Sequence, residues 1–89
     1  MESKFLIYTL SDPRTGEIRY VGQTKKRLIK RLASHLSPSQ LKASTLKINW
    51  LKSLLNLGVR PIIEEIEECF TQTALNETEI FYIAYFRSL

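Results

Sequence analysis

Phe5-Leu6-Ile7-Tyr8-Thr9-Leu10, then Ser11-Asp12-Pro13-Arg14-Thr15-Gly16, then Glu17-Ile18-Arg19-Tyr20-Val21-Gly22 is the stretch that decides the fold. The first block is apolar and aromatic and reads as a strand. The second is dense in turn formers. The third alternates polar and apolar residues as far as Val21, the mark of a half-buried strand, and Gly22 reads as its end. Two strands joined this way pair as an antiparallel hairpin through a loop of more than two residues. The hairpin brings Tyr8 and Tyr20 to adjacent strands as a cross-strand pair.

Downstream the period changes. Thr24 is placed to cap a helix. Leu28, Leu32 and Leu36 recur every four residues and mark one helix face. Arg27, Arg31 and His35 form a second series of the same spacing on a neighbouring face. Ser37-Pro38-Ser39-Gln40 breaks that helix. A second helix runs from Ser44 or Thr45 to Leu57, with Leu46, Trp50, Leu51, Leu54 and Leu55 as its apolar stripe and Lys47 and Lys52 off it. Gly58 is its C-terminal stop.

The segment Pro61 to Cys69 holds a β-branched pair that favours a strand and four glutamates that tolerate a helix. The strand is taken, with Ile62, Glu64 and Ile66 of one parity; a glutamate on a buried face would be costly. Thr73 or Asn76 caps a last helix ending near Arg87. Ile80, Phe81, Ile83, Ala84, Tyr85 and Phe86 make it apolar nearly all round, so it is expected to be mostly buried. The order is β-β-α-α-β-α. That is an α+β class, a small three-stranded antiparallel sheet flanked by helices in one domain over residues 1–89.

Bulk composition sets outer bounds. With 44% apolar and 25% charged residues the chain is an ordinary globular one. No run approaches the ~18 apolar residues of a membrane span, and the first residues lack the apolar core of a signal peptide, so a cytoplasmic protein is expected. Cys69 is the only cysteine, which rules out an internal disulfide. One Cys and one His leave no basis for a structural zinc site. Any metal must take oxygen ligands, which points to Mg²⁺ or Mn²⁺ and to no other small-molecule cofactor.

Charge is unevenly distributed. Between Ile18 and Ile63 there are ten cations and no acid, whereas Glu64 to Glu79 holds six acids and no cation. The basic block suits a polyanion, and nucleic acid is the usual one; a solvated lysine-rich surface is the plain alternative.

Few residues carry chemistry. Tyr8 and Tyr20 are ordinary strand residues on their own. Arg31 and His35, one turn apart, pair a planar donor fork suited to phosphate with a group that moves protons near neutrality. Glu79 is a candidate metal ligand, since Mg²⁺ often takes one or two carboxylates and completes its shell with water and phosphate. Spacing alone does not separate it from Glu77 or from Glu64, Glu65, Glu67 and Glu68.

The order of these blocks is more specific than any one of them. Leu6-Ile7-Tyr8, Tyr20-Val21-Gly22-Gln23-Thr24, Arg31-x-x-x-His35 and Glu79-x-x-x-Ile83 resemble, in sequence and spacing, the GIY-YIG nuclease superfamily, across nearly the whole chain. Lys47 to Leu57 followed by Gly58-Val59-Arg60-Pro61 looks like its phage and bacterial variant. Leu6 stands for the Gly of the first tripeptide and Val21 for the Ile of the second. An Asn-bearing segment that the family often carries after the Glu helix would fall at Leu89, so a C-terminally shortened catalytic domain is expected; Asn76 precedes the Glu and does not fill that place.

The resemblance implies a DNA endonuclease hydrolysing phosphodiester bonds with one Mg²⁺, Mn²⁺ being the other candidate. Glu79 would hold the metal and Arg31 would neutralise charge on the phosphorane. Tyr8 would be the general base for water, or orient it, its pKa drawn down by nearby cations. His35 would accept a proton or position Tyr8, and Tyr20 would hydrogen-bond the nucleophile or the phosphate. Lys25, Lys26, Arg27, Lys30 and Lys47 would hold flanking DNA phosphates. An inert nucleic-acid-binding module of the same fold is the alternative. A third reading, a protein-interaction domain, would use the apolar last helix as its contact face.

Overall fold

The computed structural model describes residues 5–87. The C-terminal end at Leu89, on which the reading of a shortened domain rests, lies outside them. The elements are β1 (Phe5–Ser11), β2 (Ile18–Thr24), α1 (Leu28–His35), a 3₁₀ turn (Gln40–Lys42), α2 (Leu46–Asn56), β3 (Ile62–Cys69) and α3 (Gln72–Arg87). This is the α+β order expected from the sequence. All strand pairs are antiparallel and the sheet order is β2-β1-β3, so the first strand is central and β2 is an edge.

Alternation along β1 supplies both faces of the sheet with a core. Tyr8 and Leu10 pack with Ile48, Trp50, Leu51 and Leu54 of α2, and Leu28, Leu32 and Leu36 close over them. Phe5 and Ile7 pack on the other face with Val21, Cys69 and Leu75 of α3. Helices α1 and α2 therefore cover one face and α3 the other. Leu51, Leu54 and Leu75 are fully buried, each worth roughly 1.5–3 kcal/mol of transfer free energy.

The hairpin loop is built by Asp12, whose backbone exchanges hydrogen bonds with Glu17 and Gly16, the latter at φ +76. Only glycine takes that conformation without strain. Gly58, at φ +75, ends α2 as expected. Thr45 caps α2 by accepting from the Ile48 amide.

Several expectations need correction. Gly22 does not end β2, because it pairs with Tyr8 and the strand runs on to Thr24. Thr24 is not the cap of α1; its hydroxyl accepts from the Lys26 amide, and the helix starts at Leu28 after Arg27. Tyr20 lies opposite Leu10, so the two tyrosines are diagonal neighbours rather than a direct pair. Thr71, not Thr73 or Asn76, caps α3 through the Ala74 amide. Leu46 does not join the stripe of α2 and is 90% exposed; Ile48 is buried instead. A bulge leaves Ile66 unmatched in β3 and breaks its alternation, so Ile63 serves the first core and Ile66 the second. Helix α3 is not mostly buried, since Ile80, Phe81 and Tyr85 are exposed. No described helix is long and apolar enough to cross a membrane.

Candidate active site

The site forms where β1, the β2 edge, α1 and α2 meet. Tyr8 projects from the central strand and is fully buried. His35, the last residue of α1, comes down on it, and the Tyr8 hydroxyl lies 2.7 Å from His35 Nε2. Arg31, one turn earlier, donates from Nε to the same hydroxyl at 3.1 Å. Tyr8 Oη accepts from Arg31, and in the His35 tautomer that leaves Nε2 unprotonated the Tyr8 proton is donated to the imidazole. The Tyr20 ring packs against His35 at 5.5 Å and Tyr8 at 6.2 Å. Lys47, from α2, places its ammonium 4.7 Å above the Tyr20 ring.

Gly22 makes this packing possible. A Cβ there would stand 2.6 Å from Tyr8 Oη and 2.7 Å from both Tyr8 Cζ and Tyr20 Cε2. The glycine of Tyr20-Val21-Gly22 is thus a steric requirement of the two rings.

Electrostatics set the resting protonation state. Burial pushes the Tyr8 phenol up to about 12, and the Arg31 hydrogen bond only partly opposes it. The Arg31 guanidinium alone does not draw Tyr8 down toward neutrality, because desolvation of the phenolate outweighs it. Burial, then Lys47 and Arg31, lower His35 to about 4, so the imidazole is neutral at physiological pH. Lys47 is itself lowered by burial and by Arg31.

A second network braces the site. Buried Asp12 takes Arg14 in a two-pronged pair, at 3.0 Å from Nε and 2.7 Å from Nη2, and accepts from Trp50 Nε1 at 3.3 Å. Arg14 holds its carboxyl well below the usual carboxylate range. This ties the hairpin loop to α2, one turn from Lys47. Sequence reasoning assigned Asp12 to the turn and Trp50 to the core, and missed their contact. The Asp12-Pro13-Arg14 turn was its only local signal.

Glu79 stands apart from this cluster, on α3. Gln72, Asn76, Glu79 and Ile83 recur at helical spacing and share one flank. Asn76 hydrogen-bonds Gln23 at 3.4 Å, and Ile83 lines a groove with Tyr20 and Val21. Glu79 lies between them on the flank of α3 that faces β2. Glu77 is about 200° around the helix from Glu79. Among the described residues Glu79 has no hydrogen-bond or ion-pair partner, and no three His, Cys, Asp or Glu converge to hold a metal. A lone, unpartnered carboxylate fits a hard cation that keeps most of its waters and shares a phosphate, rather than one caged by protein.

Of the other expected contacts, Lys26, Arg27 and Lys30 are exposed around the start of α1. Lys25 sits 4.9 Å over the Phe5 ring.

The family model for the GIY-YIG catalytic domain matches residues 4–88. The chain belongs to the GIY-YIG family. No curated protein and no solved structure matches it. Membership assigns a nuclease fold of the endonuclease class to this GIY-YIG domain. It also gives the ring cluster a context that tyrosine propensity alone does not supply.

Proposed function

We propose that this GIY-YIG domain is a metal-dependent DNA endonuclease that hydrolyses phosphodiester bonds with a single Mg²⁺, Mn²⁺ being able to replace it. The observation that carries the reading is the chain of contacts Arg31–Tyr8–His35, closed by Tyr20 and Lys47, at the edge of a basic surface. Glu79 would hold the cation, which when bound supplies positive charge to the scissile phosphate and to the leaving 3′-oxygen.

The chain's own residues supply the rest. Arg31 spends Nε on Tyr8, and the remaining donors of its fork meet the phosphate, where negative charge grows in the transition state. Tyr8 is a neutral phenol and acts as a relay rather than a free base. Once substrate opens the buried Oη to the attacking water, it accepts that water's proton as its own proton passes to His35 Nε2. DNA phosphates offset Arg31 and Lys47, the two cations that depress His35, and so raise its proton affinity once substrate is bound. Tyr20 holds the two rings in register and lines the path of the phosphate. Lys25, Lys26, Arg27 and Lys30 contact flanking phosphates and set affinity rather than sequence choice.

The test is conversion of supercoiled plasmid to nicked circles with Mg²⁺, with EDTA as control. Nicking that EDTA abolishes is the expected result. Salt-dependent binding without nicking under either metal would replace this reading with the inert binding module.

A further inference from the structure

A groove of about 230 Å³ lies beside the ring cluster, lined by Arg19, Leu46, Lys47 and Trp50. We propose that it is a subsite for one nucleotide flanking the scissile phosphate, with Arg19 and Lys47 on the phosphate and Leu46 wedged against the base. This rests on the nuclease reading and deepens it.

Three features point there. First, Arg19 is the unmatched residue of a β-bulge, since Leu10 pairs with Tyr20 and Ser11 with Ile18. Bulges re-aim side chains, often beside active sites. This one carries Arg19 over the Trp50 ring at 5.5 Å, on the face of the sheet where the reaction centre lies. Second, Leu46, the first residue of α2, is 90% exposed at the mouth of the groove. It is in neither core cluster, and it shares the groove with two cations and an aromatic ring. Apolar side chains in such settings wedge against bases, and aromatic or cationic platforms beside them hold the strand. Third, Lys47 joins the groove to the centre, because its ammonium covers the Tyr20 ring, which packs on both His35 and Tyr8.

The charge is one-sided. Among the described residues no acid lines the groove. Glu17 reaches Arg19 only at 3.6 Å, with both side chains exposed, and such a pair yields readily to a phosphate. The occupant is therefore an anionic unit with a flat apolar part, which a DNA nucleotide is.

Trp50 is the chain's only tryptophan and lies in the groove wall, so it reports occupancy directly. Fluorescein-labelled duplex DNA is titrated into the whole chain in EDTA, with label anisotropy and selectively excited Trp50 emission recorded together. Both signals should follow one isotherm. Leu46→Ala should weaken binding roughly tenfold with unchanged thermal unfolding, and Leu46→Phe should restore it. Rising anisotropy with unchanged Trp50 emission, or with wild-type affinity in Leu46→Ala, would overturn the subsite while leaving the nuclease reading intact. Anisotropy that never rises would remove the DNA reading itself.

Discussion

Replacing Gly22 by alanine tests how the hairpin builds the site. The added methyl would stand 2.6–2.7 Å from three atoms of Tyr8 and Tyr20, whereas carbon contacts settle near 3.5–4.0 Å. About 1 Å of relief is needed. Tyr8 is fully buried. Overpacking of this kind costs roughly 1–3 kcal/mol, and in a domain this size each kcal/mol lowers Tm by about 4–8 °C. The Tyr8 hydroxyl holds His35 at 2.7 Å and Arg31 at 3.1 Å. A displacement of that size breaks at least one bond, and misplacement by ~1 Å costs on the order of 10²-fold in rate. Thermal unfolding by circular dichroism and single-turnover cleavage should both fall together in Gly22→Ala. A variant with wild-type melting and wild-type cleavage would refute the claim that this glycine shapes the ring cluster.

Other outcomes follow from the same geometry. His35 is the only histidine, so its imidazole proton resonance titrates alone, with an expected midpoint near pH 4; a midpoint near 6.5 would show that it is not buried and neutral. Because the folded value lies below the unfolded one, the contribution of His35 is full above about pH 6.5 and is lost as pH falls toward 4, destabilising the fold by roughly 2–3 kcal/mol, read from Tm against pH. Arg31→Lys keeps the charge but loses the fork shared between Tyr8 and phosphate, and single-turnover cleavage should drop roughly 10²-fold with little change in Tm. Lys30→Ala should reduce the slope of log affinity against log salt by about one and leave the cleavage rate at saturating DNA unchanged.

Much of this was legible in the sequence because local periods agreed with the global fold. The apolar, aromatic run around Tyr8, the alternation around Tyr20, and the four-residue spacing of Leu28, Leu32 and Leu36 mark the hairpin and the first helix. Boundaries failed where tertiary contacts decide. Gly22 looked like a strand end because a glycine without context marks a stop, yet its lack of a side chain is what two rings require. The bulges that free Arg19 and Ile66 have no local signature, so register was unreadable there. Arg31 and His35 could be placed on one helix face, but not over Tyr8, since that depends on how α1 docks. The burial that raises Tyr8 against the pull of Arg31 was invisible to charge arithmetic. Glu79 and Glu77 were inseparable by spacing; only the anchoring of α3 by Asn76 and Ile83 distinguishes their sides.

That distinction gives the most direct test of the account. Cleavage of DNA at saturating Mg²⁺ is compared for wild type, Glu79→Ala and Glu77→Ala, each confirmed folded by its melting curve. Glu79→Ala should lose metal-dependent cleavage while Glu77→Ala keeps it. Nicking that persists in Glu79→Ala, or that disappears in Glu77→Ala instead, would contradict the assignment of the cation to the flank of α3 that faces β2.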